Sequence, residues 1–532
     1  MFGIIQSMKS GKIHRSPQEE NTQLQAQVAQ MAEQISVLNQ QLDWFKRQLF
    51  GRKSEKQIID NPFQESLFQT DEVSDAKQTE DAETKTEVNA HKRKSNKQRS
   101  DDDVNETGLR FDDSVPQQII ELSAPELQGE NADDFEIIRI KETTRLAQQP
   151  GSYTILIYRQ PVVRHKKQQA VTTTPAPGNV LDGCYADVSV LAGIMVDKAV
   201  YHLPLYRQHQ RMLDSGIRIS RSTLINWIQK GIELLRPIYQ AQWKHILLSK
   251  VLAMDEVPIK AGRKAKGKMQ QTYYWPIYGE DDEIAFTWST SRGHLHAVAQ
   301  LKDFNGTLLT DGYAAYNKAI AKLNKADVDI VHAVCWAHSR RTFEKSLTME
   351  PEAAQQALAM IAGLYEIEES IRESDWSAEQ IAAFRQKHSE PLVNDFFTWV
   401  YQQRNRIDLL PSNPLSKALK YVHERTDELK VFLSNPAVSI DTNHVERALR
   451  VIPMGRKNYL FCWSELGAEQ LGILQSLMVT CRMHGINPYT YLVDVLQRVS
   501  VQPASKIEEL TPRVWKTQFG DDLLTSDLQK GA

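Results

Sequence analysis

Residues 250–261 read KVLAMDEVPIKA, an apolar run followed by two adjacent carboxylates, Asp255 and Glu256. Carboxylate oxygens are hard ligands for Mg²⁺, which keeps positions open for water and phosphate. Two such ions can activate an attacking oxygen and stabilise a leaving one in phosphodiester displacement. That chemistry needs acids from elsewhere in the chain. Asp311 lies at the end of a second apolar run in GTLLTDGYAAY, and Glu446 lies in DTNHVERALRVIPMGRKN, with Arg447 and Arg450 just beyond it. Asp255, Asp311 and Glu446 are therefore the candidate catalytic and metal-ligating residues. Plainer readings stand beside this one. The acid pair fits the start of a solvated loop, and Asn443-x-x-Glu446 fits a capping box in which Glu446 only serves a helix start. Glu256 is a reserve for Asp255, but it faces the other way if the strand continues through it.

The surrounding pattern predicts the elements that would bring these acids together. KVLAMDEV, QTYYWPIYG and EIAFTWSTS read as three strands, separated by the turns AGRKAKGK and EDD. A helix at RGHLHAVAQLKDF, the strand ending in Asp311, a second helix, and VDIVHAVCWAHSRRTF as a strand running into a helix complete the order. Three strands, helix, strand, helix, strand is the order of an RNase H-like fold. Its first and fourth strands are neighbours at the sheet centre, which sets Asp255 beside Asp311. A long helical pattern then fills the interval before Glu446. The expected class is α/β: an RNase H-like mixed sheet over 250–345 and 441–500, a helical stretch over 346–440, and a C-terminal tail over 501–532.

Upstream, Leu24, Val28, Met31, Ile35, Leu38, Leu42, Phe45 and Leu49 alternate at spacings of four and three. This seam predicts a coiled coil over 14–50 and self-association. Residues 57–104 run from an acid-rich stretch into HKRKSNKQR with almost no aromatic residue, the composition of a disordered linker. A small β-rich module is expected over 105–170 from DFEIIRI and SYTILIYRQPVVRH. Over 185–245 a helix ending near Asp214, a turn at Gly216 and a helix capped by Ser220 have helix-turn-helix spacing. Residues 201–237 hold six Arg or Lys against two acids. Arg218 and Arg221 are the candidate DNA contacts there.

His338, Arg340 and Arg341 are expected to face DNA near the acids, and Arg447, Arg450, Arg456 and Lys457 to extend that contact. Guanidinium groups on exposed helices are, in the plainer reading, simply solvated. Pro453 is expected to end the Glu446 helix. Cys335-x-x-His338 and Cys481-x-x-His484 offer zinc-type ligands, but they lie far apart in sequence and Cys481 falls on an apolar helix face, so zinc is not expected. Trp336 and Trp463 could stack on a base, although core packing is the default for both.

The bulk numbers are those of a soluble multidomain chain: 532 residues, 41% hydrophobic, 25% charged, net charge −3. Four cysteines exclude a disulfide scaffold and fit a reducing compartment. The N-terminus lacks a signal-peptide layout, and the apolar run near VLAGIMV is too short to cross a bilayer. A cytoplasmic protein without a membrane partner is expected.

In order along the chain, LFGRKSEK, YHLPLYRQ, RISRSTLINWI, LAMDEV, TDGYAAY, CWAHSRRTF, NHVERALR, GRKNYLF and GINPYTYLVDVLQRV resemble the transposases of the IS66 family of insertion sequences. The resemblance implies a Mg²⁺-dependent DDE transposase, with Mn²⁺ as a substitute, that cuts element ends and joins the freed 3′-OH to target DNA. It places the catalytic acids at Asp255, Asp311 and Glu446, makes 346–440 an α-helical insertion in the nuclease fold, and suggests accessory proteins from the same element. One departure is the missing cysteine-rich zinc module after the zipper: YRQPVVRHKKQQAVTTTPAPGNV has no cysteine. Two rivals remain, a structure-selective nuclease with no joining step and a catalytically inactive DNA-binding regulator.

Overall fold

Along Val251–Met254 every side chain is buried, but alternate ones enter different cores. Val251 and Ala253 join Leu309, Ala333 and a set of helical residues, whereas Leu252 and Met254 join Leu308, Trp275, Ile277 and Tyr316. A period of two with both faces apolar is the signature of a strand covered by helices on each side. This computed structural model describes residues 110–111, 115–128, 132–149, 151–166 and 171–530. The coiled coil expected over 14–50 and the linker expected over 57–104 lie outside the described residues.

The central sheet contains β5 (Val251–Met254), β6 (Val257–Ala265), β7 (Lys268–Tyr278), β8 (Ile284–Ser289), β9 (Gly306–Thr310) and β10 (Ile330–Val334). Its order is β8-β7-β5-β9-β10, with β6 also paired to β7. The β5–β7 and β7–β8 pairings are antiparallel, and β5–β9 and β9–β10 are parallel. All five strands read from the sequence are present, and the first and fourth lie side by side. The first is interrupted: β5 stops at Met254 and pairing to β7 resumes with β6 at Val257. On one face, α4 (His294–Leu301) and α5 (Ala314–Asn324) cover Leu252, Met254 and Leu308.

The other face is covered by α6 (Trp336–Glu344), α7 (Pro351–Arg372), α8 (Ala378–Arg404), α9 (Pro414–His423) and α10 (Thr426–Ser434). These occupy the stretch in which the sequence shows only helical pattern. Trp336 anchors the layer. Its ring is fully buried, meets Phe396, Phe397 and Phe432 edge-on, and donates from Nε1 to the carbonyl of Leu429 at 2.9 Å. The chain returns through α11 (Asn443–Leu449) and α12 (Val451–Tyr459) to the buried helix α13 (Glu465–Met483), followed by α14 (Pro488–Arg498).

Before the sheet, β1 (Gln117–Glu121), β2 (Phe135–Gln149), β3 (Ser152–His165) and β4 (Val171–Thr173) form a second sheet with β3 between β1 and β2. Next come α1 (Val188–Ala199), α2 (Leu205–Asp214) and α3 (Arg221–Ile246). Gly216 turns the chain at φ +78°, and the Ser220 hydroxyl caps α3 by accepting from Thr223 N at 3.1 Å. Leu224, Trp227 and Ile228 are buried, as the helix-turn-helix spacing requires. The described part of the stretch expected as a C-terminal tail, 501–530, is instead packed. Leu510 and Trp515 are buried in the core shared by α1, α3, α13 and α14, and the Trp515 indole donates to Asp494 Oδ2 at 2.7 Å. The aromatic and apolar side chains there require cover that a solvated tail would not give. No described helix is long and apolar enough to cross a membrane.

Trp336→Ala removes the aromatic anchor between the sheet and its helical layer. A loss of about 3–5 kcal/mol is expected, the range for emptying a packed aromatic site, read as a lowered urea midpoint with an unchanged slope.

Candidate functional site

Strand pairing explains how the first two acids meet. In the parallel pair β5–β9, Val251 lies opposite Thr307, Leu252 opposite Leu308 and Ala253 opposite Leu309. Carried two residues further, the same register sets Asp255 beside Asp311. Both follow directly on the last residue of their pairing or its neighbour, at the tips of the two central strands. One carboxylate oxygen from each of Asp255, Glu256 and Asp311 lies within 4.8 Å of the other two.

The inclusion of Glu256 differs from the expectation that it would face away. That expectation assumes an unbroken strand, and the pairing stops at Met254, so strict alternation does not extend to Glu256. Glu256 does reach α5, where Tyr316 donates to its Oε2 at 2.8 Å, while Arg292 donates from Nε to Oε1 at 2.8 Å and pairs with the same oxygen through a second nitrogen. Arg292 also lies 4.0 Å over the Tyr313 ring. The Asp255 side chain accepts from Glu256 N at 2.7 Å, and that of Asp311 from Tyr313 N at 2.8 Å. The backbone around Asp311 is held from the helical layer. Tyr421 donates to the Asp311 carbonyl at 2.6 Å, and Arg425 to that of Gly312 at 3.0 Å. Gly312 has φ +78°, and a Cβ there would stand 2.7 Å from Arg425 Nε, so this turn needs glycine.

Crowding of like charge shows in the protonation of the cluster. Burial, then Asp311 and then Glu256 push Asp255 up to about 7 from an ordinary 3.8, with Glu446 adding a smaller push. Burial and Asp311 also raise Glu256, against the opposing pull of Tyr316 and Arg292.

Glu446 sits in the first turn of α11, and the capping box allowed by its sequence is absent. Thr442 is the N-cap and makes no side-chain cap bond, and Asn443 N instead donates to Asp441 Oδ1 at 3.0 Å. Both Glu446 oxygens accept from Arg341 Nη2, at 2.6 and 2.7 Å, and His338 Nε2 lies 3.7 Å from Oε1. Glu446 is thus close enough to be felt by Asp255 but is not one of the three acids in mutual reach.

The other candidates lie on several elements. Arg340 pairs with Glu344 at 2.8 Å along its own helix. Arg447, Arg450 and Lys457 are exposed, and Arg456 donates to the carbonyl of Pro258. Pro453 does not end the Glu446 helix. That helix stops at Leu449, and Pro453 occupies the first turn of α12, where a missing N–H is harmless. The GRK triplet therefore lies on α12 itself. Arg218 and Arg221 are exposed where α2 turns into α3, and Arg221 stacks 5.7 Å from the Tyr206 ring centroid. Trp336 is core, while Trp463 is partly exposed against Phe461. Cys335 accepts from Thr442 N, and Cys481 is buried within α13, in a different core.

Four contributors to the site escaped the sequence reading: Arg292, Tyr316, Tyr421 and Arg425. Tyr316 carries a weak signal, since it sits one turn into the helix that follows Asp311. The others reach the site only through tertiary packing.

An α/β core with carboxylates gathered at the tips of its two central strands, flanked by exposed cations, is the frame into which the comparisons fit. The chain belongs to the IS66 transposase family: the model described as "Transposase IS66 family" matches residues 183–470, a span that includes Asp255, Asp311 and Glu446. The "IS66 C-terminal element" matches 476–513 and the "Transposase C of IS166 homeodomain" matches 37–104. Among curated relatives, the uncharacterized protein y4jD of Sinorhizobium fredii is 31% identical over 362 residues, covering 66% of this chain and 70% of that protein. The uncharacterized protein y4qI of the same organism is 29% identical over 413 residues, covering 74% and 75%.

With Asp255 pushed up to about 7, it holds a proton in the folded state at pH values where the unfolded chain has lost it. Stability from this group is full below about pH 4 and is lost as pH rises toward 7. Asp255→Asn is therefore expected to stabilise the EDTA-treated protein at pH 8 by roughly 1–3 kcal/mol. Urea melts at pH 8 and pH 4 check this, the gain shrinking toward zero at the lower pH.

Proposed function

We propose that this protein is a Mg²⁺-dependent DDE transposase with an RNase H-like catalytic core, cutting DNA at element ends and joining the 3′-OH to target DNA. The observation that carries the reading is the β5–β9 register, which brings Asp255 and Asp311 oxygens within 4.8 Å. Membership of the IS66 family supports the transposase class. The sheet order, with one antiparallel flank and α-helices on both faces, supports the RNase H-like reading.

The residues fit a hard divalent cation. Three carboxylate oxygens converge, and burial with the like charges of Asp311 and Glu256 raises Asp255 to about 7, a cost that a bound cation would offset. Asp255 and Asp311 would hold the ion, with Glu446 completing the set and Mn²⁺ acting as a substitute. When bound, the cation supplies positive charge that polarises a phosphodiester and eases deprotonation of the attacking water or 3′-OH. Around it the protein's own groups have separate tasks. Glu256 is already matched by Arg292 and Tyr316, so it fixes the strand tip and adds little net negative charge. Tyr421 and Arg425 hold the Asp311–Gly312 carbonyls and so fix the direction of the Asp311 side chain. Arg447, Arg450 and Lys457, exposed on and after α11, would bind phosphates and set the register of the strand to be cut, as would His338, Arg340 and Arg456. Arg218 and Arg221 at the start of α3 would contact the element end. The chain would act as a homo-oligomer through its N-terminal heptads in the cytoplasm, with accessory proteins of its element.

Asp311→Asn is expected to abolish cleavage and strand transfer while leaving duplex affinity within about twofold. Gel assays on labelled ends with Mg²⁺ or Mn²⁺ check both. Unchanged cleavage in this variant would mean a catalytic centre elsewhere or none. Cleavage by the wild type with no joined product from a pre-cleaved end would favour the nuclease reading.

A further inference from the structure

Glu446 is tied to Arg341 in a way that bears on when the acid set can be complete. Both of its carboxylate oxygens accept from one guanidinium nitrogen, while the oxygens that already converge belong to Asp255, Glu256 and Asp311. The Arg341 side chain is 44% exposed and that of Glu446 25%, so an ion in solution can reach the pair. Pairs with this exposure are weak and easily exchanged. A phosphodiester presents the guanidinium with the same paired-oxygen acceptor that a carboxylate does. Arg447, on the helix of Glu446, and Arg450 at its end are exposed cations close in sequence to the carboxylate that Arg341 holds.

Building on the metal-dependent reading above, we propose that Arg341 is a positioning residue that exchanges Glu446 for a DNA phosphate. Without DNA, Arg341 keeps Glu446 away from Asp255 and Asp311. A phosphate on Arg341 frees Glu446 to turn toward them, so the full acid set forms only with a strand in place. The device would limit idle hydrolysis, because complete cation binding waits for substrate.

The test is calorimetric titration of the full chain with MnCl₂, with and without a short DNA duplex. In the wild type the duplex should tighten Mn²⁺ binding roughly tenfold, the scale on which a supporting partner alters metal affinity. Arg341→Gln should bind Mn²⁺ at the tighter level with no DNA present, and the duplex should add nothing. Glu446→Gln should stay at the weaker level under both conditions. Arg341→Lys, which keeps the charge and loses the fork, gives the same direction of change and decides the matter if Arg341→Gln does not fold. Equal Mn²⁺ affinity and equal duplex dependence in the wild type and the Arg341 variants would overturn the exchange while leaving the metal centre standing. A wild type that binds no Mn²⁺ in either condition would overturn the metal reading, and the exchange with it.

Discussion

The mutual repulsion of carboxylates forced together by a parallel strand register is the interaction on which the site depends. Nothing in local propensity favours setting Asp255, Glu256 and Asp311 within one another's reach in a largely buried place. The sheet imposes it, because β5 and β9 are pinned by apolar side chains on both faces and their register cannot slip without moving those side chains out of two cores. The fold relieves part of the strain by giving Glu256 an arginine and a tyrosine hydroxyl. Asp255 has no comparable ion pair among the described contacts, and burial together with the charges of Asp311 and Glu256 pushes its carboxyl up to about 7. Local rules broken at one spot, in a chain that obeys them elsewhere, mark a place shaped by something other than stability.

The helical layer over 351–434 takes part in this arrangement. Tyr421 on α9 and Arg425 in the turn between α9 and α10 reach the carbonyls of Asp311 and Gly312. The layer's inner side is fixed by Trp336, the first residue after the β10 strand tip and its short connection, and by the buried Arg385–Glu368 pair. Replacing one member of such a buried pair leaves the other charge uncompensated, so the layer resists piecemeal change. Such a layer can hold the Asp311 and Gly312 carbonyls, and hence the Asp311 side chain, in one direction.

The strands and the two central acids were legible because each depends on short-range pattern: an apolar run, an acid at its end, and an order of elements that fixes neighbours. The turn at Gly216 and the Ser220 cap were legible for the same reason, since Gly and Ser act on the backbone within a few residues. The direction of Glu256 was misread because alternation was extended through a position where pairing stops. Pro453 was misread because a proline is compatible with the first turn of a new helix as well as with the end of an old one. Tyr421, Arg425 and Arg292 left no local trace, because their roles come from tertiary contacts made by a helix, a turn between helices and a loop distant in sequence from the acids they serve. The packing of 504–519 was hidden for a related reason. Leu510 and Trp515 are too few to form a periodic stripe, yet each fills a gap between helices far away in sequence.

One element joins the two ends of the proposed reaction. Helix α3 begins at Ser220, between Arg218 and the Tyr206-stacked Arg221, and ends at Ile246, a short step before β5. Its 26 residues span about 39 Å. The far end is fixed firmly: Ile246 is packed with Leu252 and Met254, and Gln242 donates to the Ile284 carbonyl at 2.8 Å and to Thr480 Oγ1 at 2.9 Å. Pro237 interrupts the backbone ladder midway along α3, and the half that follows it is the part held by these contacts. The basic turn and the strand that ends beside Asp255 are joined by one continuous helix, so their relative placement is set by the fold.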